Sequence, residues 1–331
     1  MRAGGGETAS PDTSAPETRR LDYEVVDVFT AHPFAGNPLA VVYGADELSS
    51  EQMLALATEF NLSETTFPLA LTPADEAAGA DYRLRIFTPG GEVPFAGHPT
   101  LGTAWALRAR GDLGDGDVTQ ACGSGLIRVR LPSDRSRAVE LSAAPRDAAR
   151  ELSPTEVAAA VGLVGLTVDD IAGPAHLAGC GLTWLYLRVS AEAVSRARPS
   201  GVRLAEVAID RSGLTDPLDG VDVYAVAPGS TRVVDDGLHI FSRVFVPGFG
   251  IAEDPATGSA AVGLGLVLVA AGLASAEGQT SYRIEQGVEM GRPSLLSGRV
   301  DAAGGVARLA HVAGHVVPVA AGTIAVPAPQ P

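Results

Sequence analysis

A glutamate, Glu64, stands at the centre of a short polar segment, residues 61–67, that lies between two apolar stretches. A carboxyl group shielded from water has a pKa raised towards neutrality, which is what a general acid and base requires. Ser63 and Glu64 could equally cap a helix or a turn, since capping is the commonest use of such residues. On this segment alone both interpretations stay open.

An internal repeat contains further polar residues. Residues 85–89 and 243–247 both read R-x-F-x-P, and each is followed by E-x-P-x-x-G and a polar residue, at residues 92–98 and 253–259. A strand pattern precedes each copy, and a helical pattern rich in Ala, Leu and Gly follows it. The sequence therefore predicts a duplicated strand, loop and helix unit.

Each copy of the repeat reaches a glycine, Gly97 or Gly258, at the predicted start of its helix. Glycine lets a ligand approach the backbone, and the free N–H groups and dipole of a helix N-terminus attract an anion. Two such turns that face each other would clamp a carboxylate. The polar residue that follows, His98 or Ser259, is expected at or near the N-cap position.

Three of these side chains also have simpler explanations. His98 could serve only as an N-cap, and Asp254 could serve only to order its turn. A second carboxylate beside a cleft would instead tune the pKa of the first and orient a histidine. Ser259 does not lie in a G-x-S-x-G nucleophile elbow, so capping or hydrogen bonding to substrate is the better interpretation.

The composition excludes several kinds of function. The formal net charge of -15 argues against a nucleic-acid partner, because phosphate contacts need clustered basic side chains. The sequence contains no lysine, so the protein cannot form a lysine Schiff base with a substrate or with pyridoxal phosphate. The cysteines and histidines lack metal-ligand spacing and no nucleotide-binding glycine motif is present, so we expect neither a metal nor a cofactor.

The chain is long enough for two domains, with 331 residues of which 46% are hydrophobic. Residues 1–20 are predicted to be disordered, because small residues, proline and charged residues dominate them. Neither a secretory signal nor an apolar run long enough to cross a bilayer is evident, so we expect a cytoplasmic protein without membrane contact.

Strand patterns alternate with helical ones along the chain, which predicts a mixed architecture. The helices that follow the two repeats are apolar almost all round, so each is expected to run inside its own curled sheet. Strands are predicted at residues 23–29, 40–43, 82–87, 126–131, 184–189, 221–227, 239–245 and 322–326, and helices at residues 50–60, 99–110, 153–161 and 259–271.

Several longer motifs carry a resemblance to a known family. They lie at residues 36–41, which begin Gly-Asn-Pro, and at residues 61–67, 85–102, 179–184, 253–260 and 286–294. With these motifs in this order, the sequence resembles the phenazine-biosynthesis PhzF-like family over residues 22 to about 326. The fold of that family is shared with diaminopimelate epimerase.

The resemblance implies an α+β fold of two pseudo-symmetric domains, each a curled β-sheet around a central helix. The active site would lie between them, and family members are commonly homodimers. We expect an N-terminal lobe of residues 21–131 plus 312–327 and a C-terminal lobe of residues 132–311. The family further implies a cofactor-free isomerase acting on a small carboxylate-bearing metabolite, as the phenazine enzyme does on dihydro-hydroxyanthranilate.

The resemblance also implies roles for individual residues. Glu64 would be the acid and base, with His98 and Asp254 as further catalytic residues. The residues expected to contact the substrate are Gly97, Gly258, Ser259, Asn61 and Ser63.

The related epimerases and racemases use two cysteine thiols, one in each half, and here those places are Ala96 and Thr257. Neither side chain can act as a thiolate base, so inversion by two bases is not expected. Cys122 lies in a segment that imitates the epimerase cysteine loop but leads into a predicted strand. Two alternatives remain, namely an epimerase or racemase acting on an amino or hydroxy acid, and a non-catalytic carboxylate-binding protein of the same fold.

Overall fold

The computed structural model describes residues 19–212, 214–215, 217–227, 237–247 and 252–328. The predicted disordered tail, residues 1–20, lies outside these residues except for Arg19 and Arg20. Arg20 begins the first strand, and the Arg19 carbonyl accepts a hydrogen bond from the Val326 N–H.

The N-terminal half of the chain contains eight strands and three helices in its described part. Capping boxes at Ser49 and Thr72 fix the starts of the first two helices. The strands are β1 (Arg20–Val28), β2 (Asn37–Val42), β3 (Glu64–Leu69), β4 (Tyr82–Thr88), β5 (Gly91–Val93), β6 (Gly116–Cys122), β7 (Gly125–Leu131) and β8 (Val139–Ala143), and the helices are α1 (Ser50–Phe60), α2 (Pro73–Ala77) and α3 (Gly97–Arg110).

The second half follows the same plan with longer strands. Short 3-10 helices occupy Val161–Val164, Val168–Asp170, Leu204–Glu206 and Val288–Met290. The strands are β9 (Arg150–Glu151), β10 (His176–Gly179), β11 (Thr183–Arg188), β12 (Leu218–Val226), β13 (Leu238–Phe245), β14 (Glu253–Asp254), β15 (Gly278–Gln286), β16 (Ser294–Ala303), β17 (Val306–Gly314) and β18 (Val316–Ala325), and the helices are α4 (Pro154–Ala160), α5 (Ala191–Arg196) and α6 (Gly258–Ala270).

Each half is a curled sheet around one buried helix, which confirms the predicted α+β class. Helix α3 packs against β1, β2, β3, β7, β8 and β18, and α6 packs against β10, β11, β16 and β17. All residues of α6 from Gly258 to Val269 are buried. The apolar side chains on all sides of this helix are therefore buried by the strands that surround it.

Strand β8 joins the two halves of the sheet. It pairs antiparallel with β7 on one side and with β17 on the other, so the sheet continues from one half into the other. Residues 139–143 lie inside the predicted C-terminal lobe, yet they also pack against α3. The lobe boundaries stay a prediction. Among the described helices none has the length and apolar character that a membrane span requires.

Candidate active site

Glu64 is the first residue of β3, where it pairs with Leu39 of the parallel strand β2. Its side chain is 16% exposed and lines a cavity of about 390 Å³ between the two halves. Asn61 ends α1 in the left-handed conformation at φ +50°, and the Ser63 hydroxyl donates to Asn37 Oδ1 at 3.3 Å. The helix is thus terminated by Asn61, and Glu64 is directed to the cavity.

The N-termini of α3 and α6 meet at this cavity. A Cβ atom added to Gly97 would lie 3.1 Å from the Cα atom of Gly258, so only glycine permits this approach. The N-cap residues are Ala96 and Thr257, and neither caps its helix with its own side chain. Free N–H groups and two positive dipole ends therefore converge, an arrangement that favours an anion.

His98 and Ser259 occupy the second helical position of α3 and α6 rather than the N-cap. Pro99 is correspondingly the third helical residue. Both helices begin one or two residues earlier than predicted, because the glycines themselves adopt helical geometry. The backbone of His98 is therefore part of helix α3, and its side chain lines the cavity.

The His98 side chain lies beside Glu64, with Nε2 3.7 Å from Glu64 Oε2. Both atoms are buried, and neither has a hydrogen-bond partner in the described part of the chain. Burial lowers the pKa of His98 to about 3, against the opposing effect of a hydrogen bond to the Pro38 carbonyl. The imidazole is neutral at physiological pH.

Asp254 lies on the opposite wall of the cavity and is 9% exposed. Its carboxylate accepts hydrogen bonds from Thr257 Oγ1 at 2.5 Å and from Asn37 Nδ2 at 2.9 Å. Burial raises its pKa to about 6, although these donors act in the opposite direction. Asp254 is therefore largely ionised at neutral pH.

Asn37 connects the two halves at the base of the site. Its Nδ2 atom lies 2.9 Å from Asp254 Oδ1, 3.0 Å from the Ala256 carbonyl and 3.2 Å from His98 Nδ1. Two amide protons serve the two oxygen acceptors, so none remains for His98 Nδ1. We assign the histidine proton to Nδ1, which donates to the Pro38 carbonyl, and a lone pair on Nε2 then faces Glu64.

The pKa of Glu64 is raised well above its usual value by burial and then by the negative charge of Asp254. Asp254 has donors that stabilise its charge, whereas Glu64 Oε2 has none among the residues described. Glu64 is thus the carboxyl group of the pair that holds its proton more tightly.

The structure brings six of the eight candidate residues to this cavity: Glu64, Gly97, His98, Asp254, Gly258 and Ser259. Asn61 and Ser63 instead line an adjoining groove of about 750 Å³, which shares Thr88, Glu92 and Val93 with the cavity. Ser63 nevertheless contacts the site, because its hydroxyl donates to Asn37 and a hydrogen bond from it lowers the pKa of Asp254.

Sequence reasoning did not single out Asn37, Gln286 or Trp184. Gln286 Nε2 donates to the Asp254 carbonyl at 2.8 Å and to Thr257 Oγ1 at 3.1 Å, so it fixes the turn that carries Asp254. Trp184 contributes an aromatic wall to the cavity. All three lie within the motifs that carry the family resemblance, but only the fold brings them to one site.

The positions of the epimerase thiols, Ala96 and Thr257, both line the cavity. The two cysteines are elsewhere: Cys180 is buried, with its pKa raised to about 12 by burial, and Cys122 ends β6. No group of three or more metal-ligating side chains occurs within the described ranges.

Comparison with known proteins gives three findings. The model of the family described as phenazine biosynthesis-like protein matches residues 26–322. A trans-2,3-dihydro-3-hydroxyanthranilate isomerase of Pseudomonas aeruginosa is 36% identical, over 88% of this chain and 95% of the relative. A protein of Mesorhizobium japonicum named as an uncharacterized isomerase is 35% identical, over 92% of this chain and 98% of the relative.

The fold has a match among solved structures. A PhzF-family phenazine biosynthesis protein of Bacillus anthracis aligns with a TM-score of 0.75 and 23% identity, over 92% of this chain and 99% of that one. This likeness confirms the predicted fold class.

Proposed function

Because the chain belongs to the phenazine biosynthesis-like protein family, we propose that it is an isomerase that shifts a double bond in a small carboxylate-bearing metabolite, with Glu64 as the general acid and base. The names of the two relatives that match over most of their length support the isomerase class. The double-bond shift and the carboxylate-bearing substrate are what we propose beyond that class.

One observation carries the assignment of Glu64. Its Oε2 atom is buried without a hydrogen-bond partner among the described residues, in a cavity formed where two helix N-termini meet. A buried polar atom is normally paired, and unpaired ones mark functional sites. A substrate in the cavity would supply the missing partner.

The proposed reaction needs one carboxyl group for two steps. Ionised Glu64 removes a proton from a carbon atom next to the conjugated system, and the electron pair of the broken C–H bond moves into that system. Protonated Glu64 then delivers the proton to another carbon on the same face of the substrate. The raised pKa makes Glu64 a stronger base for the first step.

The neighbouring groups have supporting roles in this proposal. The N-termini of α3 and α6 bind the substrate carboxylate. The unprotonated Nε2 atom of His98 accepts a hydrogen bond from a hydroxyl or amino group of the substrate. The charge of Asp254 keeps the Glu64 pKa high, and the narrow cavity keeps bulk water from exchanging the proton.

The absence of thiols at Ala96 and Thr257 favours a proton shift over inversion at one carbon. Inversion by two bases needs one base on each face of the substrate. Glu64 and Asp254 are the two cavity carboxyls that interact electrostatically, and Asp254 is already engaged with Thr257 and Asn37.

The test is Glu64→Gln with trans-2,3-dihydro-3-hydroxyanthranilate as the probe, followed by absorbance and by NMR in D₂O. Loss of a general base typically lowers turnover by about 10²–10⁴-fold. Glu59→Gln is the matched control, since Glu59 is exposed on α1. Wild-type turnover by Glu64→Gln would remove Glu64 from this role.

A further inference from the structure

The two copies of the repeat build the same ion pair. In each, an arginine donates from Nε and from a terminal nitrogen to both oxygens of a glutamate, at 2.8 and 2.6 Å for Arg85 with Glu92 and at 2.8 and 2.7 Å for Arg243 with Glu253. Each guanidinium also lies over the ring of the phenylalanine two residues later, 5.0 Å from Phe87 in one half and 5.2 Å from Phe245 in the other. The repeat thus encodes a clamp across two strands.

The C-terminal clamp is the more deeply buried of the two. The side chains of Arg243 and Glu253 are 4% and 13% exposed, against 21% and 41% for Arg85 and Glu92. Arg243 Nη1 also donates to the Ala197 carbonyl at 2.7 Å, just after α5 ends. This arginine is therefore fixed from two sides, and water screens its charge little.

The residue that follows each glutamate differs between the halves. In the antiparallel pair β13 and β14, Asp254 stands opposite Val244 next to the clamped Glu253. In the pair β4 and β5, the corresponding residue is Val93, opposite Ile86. Only in the C-terminal half, therefore, is the residue that follows the clamped glutamate ionisable.

We propose that Arg243 and Glu253 position Asp254 in the active site and that Arg243 neutralises the charge of Glu253 beside it. The bidentate pair fixes β14 on β13, and this fixes the backbone from which Asp254 reaches Asn37 and Thr257. Arg243 and Glu253 act through Asp254 and are positioning residues. The effect of Asp254 on the pKa of Glu64 is part of the proposed function, and the inference rests on that function.

The charged groups around Asp254 determine what each substitution does. Glu253 is the anionic neighbour, whereas Glu64 from β3 and His98 from α3 are biased to their neutral forms. Arg243 faces Glu253, and its Nε atom also lies 3.9 Å from Glu289. The negative charge of Glu253 raises the pKa of Asp254, so the positive charge of Arg243 offsets that effect.

The test is a pH titration of the Asp254 carboxyl by ¹³C NMR on full-length protein with labelled aspartate, assigned through the signal lost in Asp254→Asn. Glu253→Gln removes a negative charge, so the Asp254 midpoint moves to lower pH. Arg243→Gln leaves Glu253 unpaired, so the midpoint moves to higher pH. Each shift is a fraction of a pH unit, because the charge of Glu253 affects the Asp254 pKa less than burial and the hydrogen bonds do.

The N-terminal clamp supplies the matched control Arg85→Gln, which leaves the Asp254 midpoint in place, because Arg85 does not line the cavity. Glu253→Gln replaces a carboxylate by an amide of the same shape. It therefore tests the proposal even if the Arg243→Gln variant does not fold. Midpoints that stay unchanged, or that move in one direction for both C-terminal variants, would overturn the proposal. The titration needs no turnover, so its outcome is independent of the substrate and of the role of Glu64.

Discussion

His98 Nε2 lies 3.7 Å from Glu64 Oε2. Both residues line the same cavity, and the two atoms lie too close for a ligand to fit between them. Burial acts on the two groups in opposite senses, since it lowers the pKa of the imidazole and raises the pKa of the carboxyl. Both groups are thereby biased to their neutral forms, and a ligand bound in the cavity would meet a hydrogen-bond acceptor and a carboxyl group on the same wall.

We expect His98→Asn to lower kcat/KM by about tenfold or more, because the substrate loses a hydrogen-bond acceptor in a desolvated site. The acidic limb of the pH profile should stay in place, since the pKa of His98 is about 3 and the imidazole does not titrate in the working range. The measurement is kcat/KM between pH 5 and 9. Disappearance of the acidic limb in this variant would assign it to His98 instead of Glu64.

Asp254→Asn should move the acidic limb of kcat/KM to lower pH. The limb reports ionisation of the base, and the negative charge of Asp254 opposes that ionisation, so its removal lowers the pKa of Glu64. The same pH series measures the shift. A limb that moves to higher pH would contradict the proposed electrostatic relation between the two carboxyls.

Gly97→Ala should separate the two helix N-termini. Its Cβ atom would meet the Gly258 backbone at 3.1 Å, and such overpacking costs about 1–3 kcal/mol of the free energy of unfolding. Urea denaturation measures the loss. The control is Gly114→Ala, because a Cβ atom there meets nothing within 4 Å and the residue has no positive φ. Equal stability of the two variants would exclude a tight contact.

A buried carboxyl outside the site makes a separate prediction about stability and pH. Burial raises the pKa of Asp222 to about 7, against the effect of the hydrogen bond from Ser242. Between about pH 4 and this value the folded protein holds a proton that the unfolded chain has lost, so stability falls as pH rises, by about 1.4 kcal/mol per pH unit.

Asp222→Asn should remove this dependence, because the amide stays neutral and can still accept the bond from Ser242. The free energy of unfolding, measured in urea at pH 5 and pH 7.5, should therefore fall less in the variant than in the wild type. An identical pH dependence in both proteins would show that Asp222 titrates normally.

Much of the fold followed from local patterns. Seven of the eight predicted strands match observed ones to within about three residues, the eighth covers only the end of β18, and the four predicted helices match α1, α3, α4 and α6. Strands such as β3 and β15 were not predicted, because polar residues at their ends and exposed alternate positions give a weak apolar signal.

The site was predictable where the repeat marks it. Glycines and polar residues at matching places in both copies indicated Gly97, His98, Gly258 and Ser259. Asp254 lies in the second copy alone, and all five residues line the cavity. Asn37 was not identified as a site residue, because its importance comes from contacts with residues 61 to 219 positions away. A hydrogen-bond centre of this kind has no local sequence signature.

The most direct test of the account follows one hydrogen atom. The substrate is trans-2,3-dihydro-3-hydroxyanthranilate with deuterium on the carbon that loses its proton, and the product formed in H₂O is analysed by NMR and mass spectrometry. If the Glu64 carboxyl carries the hydrogen between two carbons inside the cavity, part of the product retains deuterium at the new C–H bond. A product that contains only solvent hydrogen at that position, with equal turnover by Glu64→Gln, would contradict the account.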